Sequence, residues 1–193
     1  TLDYAENMNG ASIFTVRATD TGDLSVDTTF TVTVIPVNDA PIVEQIPDIH
    51  FFLGQTAVLP LSAFVNDVDD DPQDLAWTVS GTLNLSVEID DSTRIADISV
   101  VAVDWMGLEI VTFSVSDSSG LSDSSTVQIS VGVMLGDANN DGVVDNEDVV
   151  MVSGYILNFI GMSNTQMSGA NVNGDAFIDV RDIIEILEII HNQ

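Results

Sequence analysis

Residues Asp137 to Asp148 (DANNDGVVDNED) place oxygen-bearing side chains at positions 1, 3, 5, 9 and 12 of a twelve-residue stretch, with Gly142 at position 6. A continuous peptide can surround a hard divalent cation with six to eight oxygens only by alternating liganding and spacer residues. It must also turn sharply at the sixth position, where Gly meets no Cβ clash. This spacing specifies a calcium loop. The expected ligands are the side chains of Asp137, Asn139, Asp141 and Asp148 and the carbonyl of Val143, with Asp145 acting through water. A second copy, Asn171 to Asp182 (NVNGDAFIDVRD), begins 34 residues later with Asn171, Asn173, Asp175, Asp179 and Asp182 at the same positions and Phe177 supplying the carbonyl. The neutral Asn171 removes one anionic ligand, and Ala176 stands where Gly is expected to turn. The second site is therefore expected to bind calcium less tightly.

An apolar run follows each loop: Val149 to Val152 with Tyr155, Ile156 and Leu157 after the first, and Ile183, Ile184, Ile186, Leu187, Ile189 and Ile190 after the second. Each reads as a helix whose acidic first turn suits the positive end of its dipole. Upstream of the first loop, Thr126 to Val133 alternates as a strand, so the unit is loop then helix, twice. This duplicated half EF-hand over residues 134–193, opened by Gly136-Asp137, resembles a dockerin module. The resemblance implies a cohesin domain as partner, in an extracellular or bacterial cell-surface assembly of the cellulosome kind. It also implies partner contacts at loop positions 10 and 11, here Asn146 and Glu147 in the first repeat and Val180 and Arg181 in the second. The two pairs are chemically unlike, which argues against interchangeable two-way docking.

The helices carry more apolar surface than so small a module can easily bury. On the second, Glu185, Glu188 and Asn192 make the only polar stripe. Ile183, Ile186, Leu187 and Ile190 satisfy an inward face, leaving Ile184 and Ile189 toward its edges. Either the two helices seal each other together with Phe159 and Ile160, or an apolar strip including Ile184 and Ile189 awaits a partner. The second reading is the stronger.

The rest of the chain is β-structure with an internal repeat. Without a gap, Ile13 to Val34 (IFTVRATDTGDLSVDTTFTVTV) aligns with Ile110 to Val131 (IVTFSVSDSSGLSDSSTVQISV) at an offset of 97 residues. A period near one hundred is a sandwich domain, and each copy reads as its closing hairpin. Strands are expected at Ile42–Ile49, Thr56–Leu61, Leu75–Val79, Leu85–Ile89, Ile95–Val101, Ile110–Ser116 and Thr126–Val133, an immunoglobulin-like sandwich over 38–133 with Trp77 on its third strand. Residues 1–37 are then the final strands of a truncated preceding repeat, and a lone hairpin is marginal in water. The fold class is thus multi-module: an all-β sandwich followed by a small α-helical calcium module. The stretch VRATDTGDLS with Asn38-Asp39-Ala40-Pro41 is similar to the end of a cadherin-like repeat and its linker. That resemblance implies a further calcium site in the β region, from Asp20, Asn38, Asp39, Asp67, Asp69 and Asp71.

The chain has 31 acidic and 3 basic residues in 193, a formal charge of −28, which excludes nucleic acid and anionic membrane surfaces as partners. No apolar run reaches the eighteen or so residues of a membrane-spanning helix. Thr1 falls inside a strand-like pattern and no leader is legible, so the sequence is read as a fragment. The absence of Cys excludes a disulfide scaffold. No nucleophile-base arrangement is visible around His50 or His191, so no enzyme is expected. The reading is a calcium-dependent protein-protein adaptor with the sandwich as spacer. The alternatives are a cadherin-like adhesin acting through its β repeats, and a carbohydrate-binding module.

Overall fold

The computed structural model describes residues 5–102 and 104–193; Thr1 to Tyr4 and Val103, which fall within the expected segments 1–37 and 38–133, lie outside the described residues. The chain opens on an antiparallel hairpin of β1 (Gly10–Thr19) and β2 (Ser25–Val34). Its register repeats that of the later hairpin, β10 (Gly107–Ser116) with β11 (Ser122–Gly132), pair for pair at the offset of 97: Gly10 faces Val34 as Gly107 faces Val131, and Thr19 faces Ser25 as Ser116 faces Ser122. The turns match as well. The Asp20 side chain accepts from the Leu24 N–H while the Asp20 N–H donates to the Leu24 carbonyl, and Asp117 and Leu121 repeat both bonds. Alternation places Phe14, Val16, Phe30 and Val32 on one face of the first hairpin, with the Phe14 and Phe30 rings stacked at 5.6 Å.

The sandwich itself packs a four-stranded sheet, ordered β4 (Ile49–Phe52), β11, β10 and β7 (Ala76–Ser80), on a three-stranded sheet of β5 (Ala57–Pro60), β9 (Ile95–Val100) and β8 (Leu85–Asp90). Period-two alternation turns Val111, Phe113 and Val115, Val127, Ile129 and Val131 inward, where they meet Leu59, Leu85, Ala96 and Ile98 from the facing sheet. Trp77 is buried in this core as expected for the third strand.

One expected strand is two. Pro47 has no N–H for a ladder, so Ile42–Ile49 does not continue as a single element. Ile42–Val43 (β3) pairs with Val65–Asn66 (β6), a strand missing from the sequence reading, and Ile49–Phe52 (β4) crosses to lie parallel to the end of β11. Between them Ile46 plugs the core at 1% exposure.

The C-terminal module contains α1 (Asn146–Ile156), α2 (Asn164–Ala170) and α3 (Val180–His191). Both α1 and α3 start with a capping box in which the loop's ninth residue and twelfth residue bond each other's backbone, Asp145 with Asp148 and Asp179 with Asp182. The sequence reading had no α2. Its signal is Ser163 with Gln166 three residues on, a second kind of capping box without the long apolar period that marks the other helices. A small core of Ala138 and Val144 from the first loop with Val152, Ala170 and Ile186 from the three helices is joined by the partly buried Val172 and Ile178 of the second loop.

Candidate metal centre and docking surface

In the first loop the carboxylates at both ends are buried and turn inward onto backbone. Asp137 accepts from the Asp141 N–H at 3.1 Å and the Gly142 N–H at 2.9 Å. Asp148 accepts from Ala138 and Asn139 with one oxygen, at 2.8 and 3.1 Å, and from Asp145 with the other at 2.8 Å. Asn139 Oδ1 takes the Asp141 N–H and Asp141 Oδ1 the Val143 N–H, both at 2.9 Å. Asp145 caps α1 by accepting from the Glu147 N–H. Asn140 and Gly142 take positive φ values of 63° and 87°, so the loop turns at position 6 as Gly permits. Burial pushes the Asp137 carboxyl above its ordinary range, with the Asp148 charge adding to the rise, and burial does the same to Asp148.

The second loop repeats the frame with differences. Asp182, fully buried, accepts from Asn173 at 3.3 Å and Asp179 at 2.9 Å, and Asp175 accepts from the Phe177 N–H at 2.8 Å. The left-handed residue here is Gly174 at position 4, with φ +68°, whereas Ala176 keeps an ordinary negative φ. The steric penalty expected at Ala176 is therefore not incurred. Instead the guanidinium of Arg181 reaches Asp175 at 2.9 Å and Asp179 at 2.7 Å, a fixed cation beside two expected ligands. Asn171 donates to the Asp175 carbonyl, and its Oδ1 is buried without a hydrogen-bond partner.

Both loops fit a calcium ion. The donors are all oxygens, buried carboxylates of like charge face one another in the first loop, and an orphaned acceptor stands at position 1 of the second. Asp137, Asn139, Asp141, Val143, Asp145 and Asp148 would hold one ion, and Asn171, Asn173, Asp175, Phe177, Asp179 and Asp182 the other. Bound there, calcium supplies positive charge that offsets the mutual repulsion of the carboxylates.

Behind the first loop stands α2. A Cβ on Gly169 would collide with the Asp137 carbonyl, and the Gly136 N–H donates to the Gly169 carbonyl at 2.8 Å. Sequence reasoning missed this support, because nothing local in SGAN announces a helix pressed against a loop thirty residues upstream.

The sequence expected a sealed pair of helices or an open strip. The helices pack on each other, yet apolar side chains remain outside. Asn146 and Glu147 are exposed at the start of α1, beside Val150, Met151, Gly154 and Ile160, which line a shallow depression of about 660 Å³. On α3, Val180, Ile184 and Arg181 are exposed, while Ile189 is half-buried and packs on the module's own core. Leu187, expected inward, is 45% exposed, and Phe159 stands out at 80%.

In the sandwich, carboxylate oxygens of Asp67, Asp70 and Asp117 lie within 4.8 Å of one another. Asn38 donates to Asp117 at 2.6 Å, and the Asp39 N–H to Asp69 at 2.8 Å. One oxygen each of Asp67 and Asp70 is buried without a partner. Burial and the charges of Asp67 and Asp117 push the Asp70 carboxyl up. Two of the expected residues are elsewhere: Asp20 caps its own hairpin turn and Asp71 the turn at Gln73. Asp70 and Asp117 take their place. The 97-residue offset already equated Asp117 with Asp20, a signal that points to the nearer copy.

Residues 38–130 match the family model for a bacterial Ig domain, and residues 135–190 match that for a dockerin type I domain. A comparison with curated proteins returns no match. Among solved structures, an endo-fucoidan hydrolase of glycoside hydrolase family 107 is 20% identical with a TM-score of 0.40, covering 67% of this chain and 20% of that one. The EC1-2 fragment of a human mucin-like protocadherin is 15% identical with a TM-score of 0.46, covering 63% and 69%. Protocadherin GammaB4 is 14% identical with a TM-score of 0.43, covering 63% and 20%. The chain thus spans about a fifth of the length of the fucoidan hydrolases it matches.

Proposed function

We propose that this chain, in which a bacterial Ig domain at residues 38–130 is followed by a dockerin type I domain at residues 135–190, a calcium-dependent docking module, fastens a longer protein to a cohesin domain on a scaffold or cell surface. The sandwich serves as the spacer. One observation carries the proposal: two calcium-type loops hold α1 and α3 at their acidic ends while Val150, Ile184 and Leu187 stay outside the core. Asn146, Glu147, Val180, Arg181 and Ile184 form the contact surface, with Ile189 supporting it from behind. An extracellular or cell-surface setting, as in cellulosome-like assemblies that degrade polysaccharide, supplies the calcium. Both domain families are non-catalytic, and no helix among the described residues is long and apolar enough to cross a membrane.

The β region extends this reading. Residues 1–37 are the closing hairpin of another sandwich repeat, supported by its register, and residues 38–133 and 134–193 are the two following units. The cluster of Asp67, Asp70 and Asp117 with Asn38 takes a further calcium ion, supported by its two orphaned carboxylate oxygens. A calcium-dependent adhesin remains the second reading, favoured by the exposed Phe14 and Phe30 face.

Titration of the chain against a panel of cohesin domains tests the proposal. A one-to-one complex in calcium that disappears in chelator is the expected result. Absence of any complex with every cohesin at saturating calcium would overturn it, and self-association mapped to residues 1–133 would favour the adhesin.

A further inference from the structure

The first calcium loop leans on the sandwich, and the second does not. The turn between β4 and β5 carries Gly54 at φ +82° and, next to it, Gln55. A Cβ on Gly54 would collide with the backbone of Asp141 and Gly142, and one on Gly142 would sit 2.7 Å from Gln55 Cγ and 2.9 Å from the Gly54 carbonyl carbon. The two glycines are therefore in backbone contact across the module boundary. Gln55 Nε2 donates to the Gly142 carbonyl at 3.0 Å. Two positions earlier, Asn140 Nδ2 donates both to Asp104 of the sandwich and to Thr165 of α2, each at 3.2 Å.

These contacts fall on loop positions 4 and 6, whose groups are not expected metal ligands. The seam thus uses what the ion leaves free. The carbonyl held by Gln55 belongs to the same peptide unit as the Val143 N–H, which Asp141 accepts at 2.9 Å. Fixing that peptide fixes the approach to Val143, whose own carbonyl is an expected ligand. In the second loop, the side chains of Asn171, Asn173, Asp175, Asp179 and Asp182 bond only within their own module.

We infer that Gln55 and Gly54 of the Ig domain are positioning residues for the first calcium site, so that metal binding there and the docking of the two domains on each other stabilise one another. This rests on the calcium-loop reading given above. Reciprocity follows from linkage: the factor by which the seam tightens the metal is the factor by which the metal tightens the seam. The second site lies outside this coupling. Calcium then sets the angle at which the docking surface leaves the spacer, as well as folding it.

The test is calcium calorimetry on the full chain, with each site read alone in an Asp175→Ala or Asp141→Ala background, which keeps the buried Asp148 and Asp182 and the amides they hold. Loss of one hydrogen bond at the seam predicts that Gln55→Ala weakens the first site by about fivefold. Gly54→Ala, which wedges the seam apart, weakens it further, and the second site keeps its affinity in both variants. Gln55→Ala adds no backbone strain, and the combined fluorescence of Trp77 in the sandwich core and Trp105 packed against it reports whether the sandwich itself stays folded. Amide exchange at Gly142 and Gln55 should be slow in calcium and fast in chelator. First-site affinity within twofold of the parent in both variants overturns the inference, as does weakening shared equally by both sites. If the parent chain takes up no calcium in either loop, the calcium-loop reading itself fails, which is a separate outcome.

Discussion

Asp148 and Asp182 end their loops fully buried, with their carboxylate oxygens turned to backbone N–H groups. Replacing Asp148 by Ala strands the amides of Ala138, Asn139 and Asp145, at about 1–3 kcal/mol for each one left unsatisfied. Far-ultraviolet circular dichroism should then show lost helix at calcium concentrations that fold the parent chain. Gly169→Ala should act on the same loop from outside, since its methyl would displace the Asp137 carbonyl; overpacking of this kind costs about 1–3 kcal/mol. Its signature is a lower first-site affinity with the ligands untouched. In the sandwich, Glu109 accepts from Leu83 and from the backbone and side chain of Asn84. Burial pushes its carboxyl up, but these bonds outweigh burial and hold it below the ordinary value. A depressed folded pKa means stability present above the unfolded pKa and lost as pH falls through the folded one. Glu109→Gln should therefore flatten the acid limb of the sandwich's unfolding curve below about pH 4. The two loops and their expected ligand positions were legible because twelve consecutive residues set the spacing of the oxygen donors. Asp70, Asp117, Gly169 and Gln55 were not, because the fold brings to them partners about 30 to 90 residues away in the chain.

At the scale of elements, α1 and α3 owe their first turns to the loops: the capping residue of each helix is also an expected ligand position. Ten acidic residues against one Arg in 134–193 repel one another without a counter-ion. Two sites at a thousandfold excess of calcium over the dissociation constant would each stabilise the folded module by roughly 4 kcal/mol. Excess chelator should thus melt the helices and leave the sandwich intact, and helical ellipticity retained in chelator would contradict this. The long apolar helices and the alternating hairpins were legible because each repeats one period for three turns or ten residues. Seven-residue α2 and two-residue β3 and β6 carry too few repeats of either period to be seen, and Pro47 marks the break in the first strand only once one asks which side of the sheet each half pairs with.

Across the whole molecule, the surplus of acid draws divalent cations to every loop at once. Raising the ionic strength from about 0.01 to 0.5 M shrinks the reach of that field from about 30 Å to a few ångströms. Calcium affinity should fall at both loops together, which titrations at the two salt concentrations would reveal. The sandwich architecture was legible from the 97-residue repeat, and the seam between the domains was not, since no periodicity encodes which turn of one unit touches which loop of the next. The crossing of β4 to the far sheet has a mechanical meaning. Its four residues run parallel to the last strand before the docking module, Ile49 beside Ile129 through Phe52 beside Gly132. If the C-terminal module is held by a partner and tension is applied at Asn38, these two strands are dragged lengthwise past one another. Their rungs then share the load in shear, and the pair resists tearing better than one peeled open rung by rung.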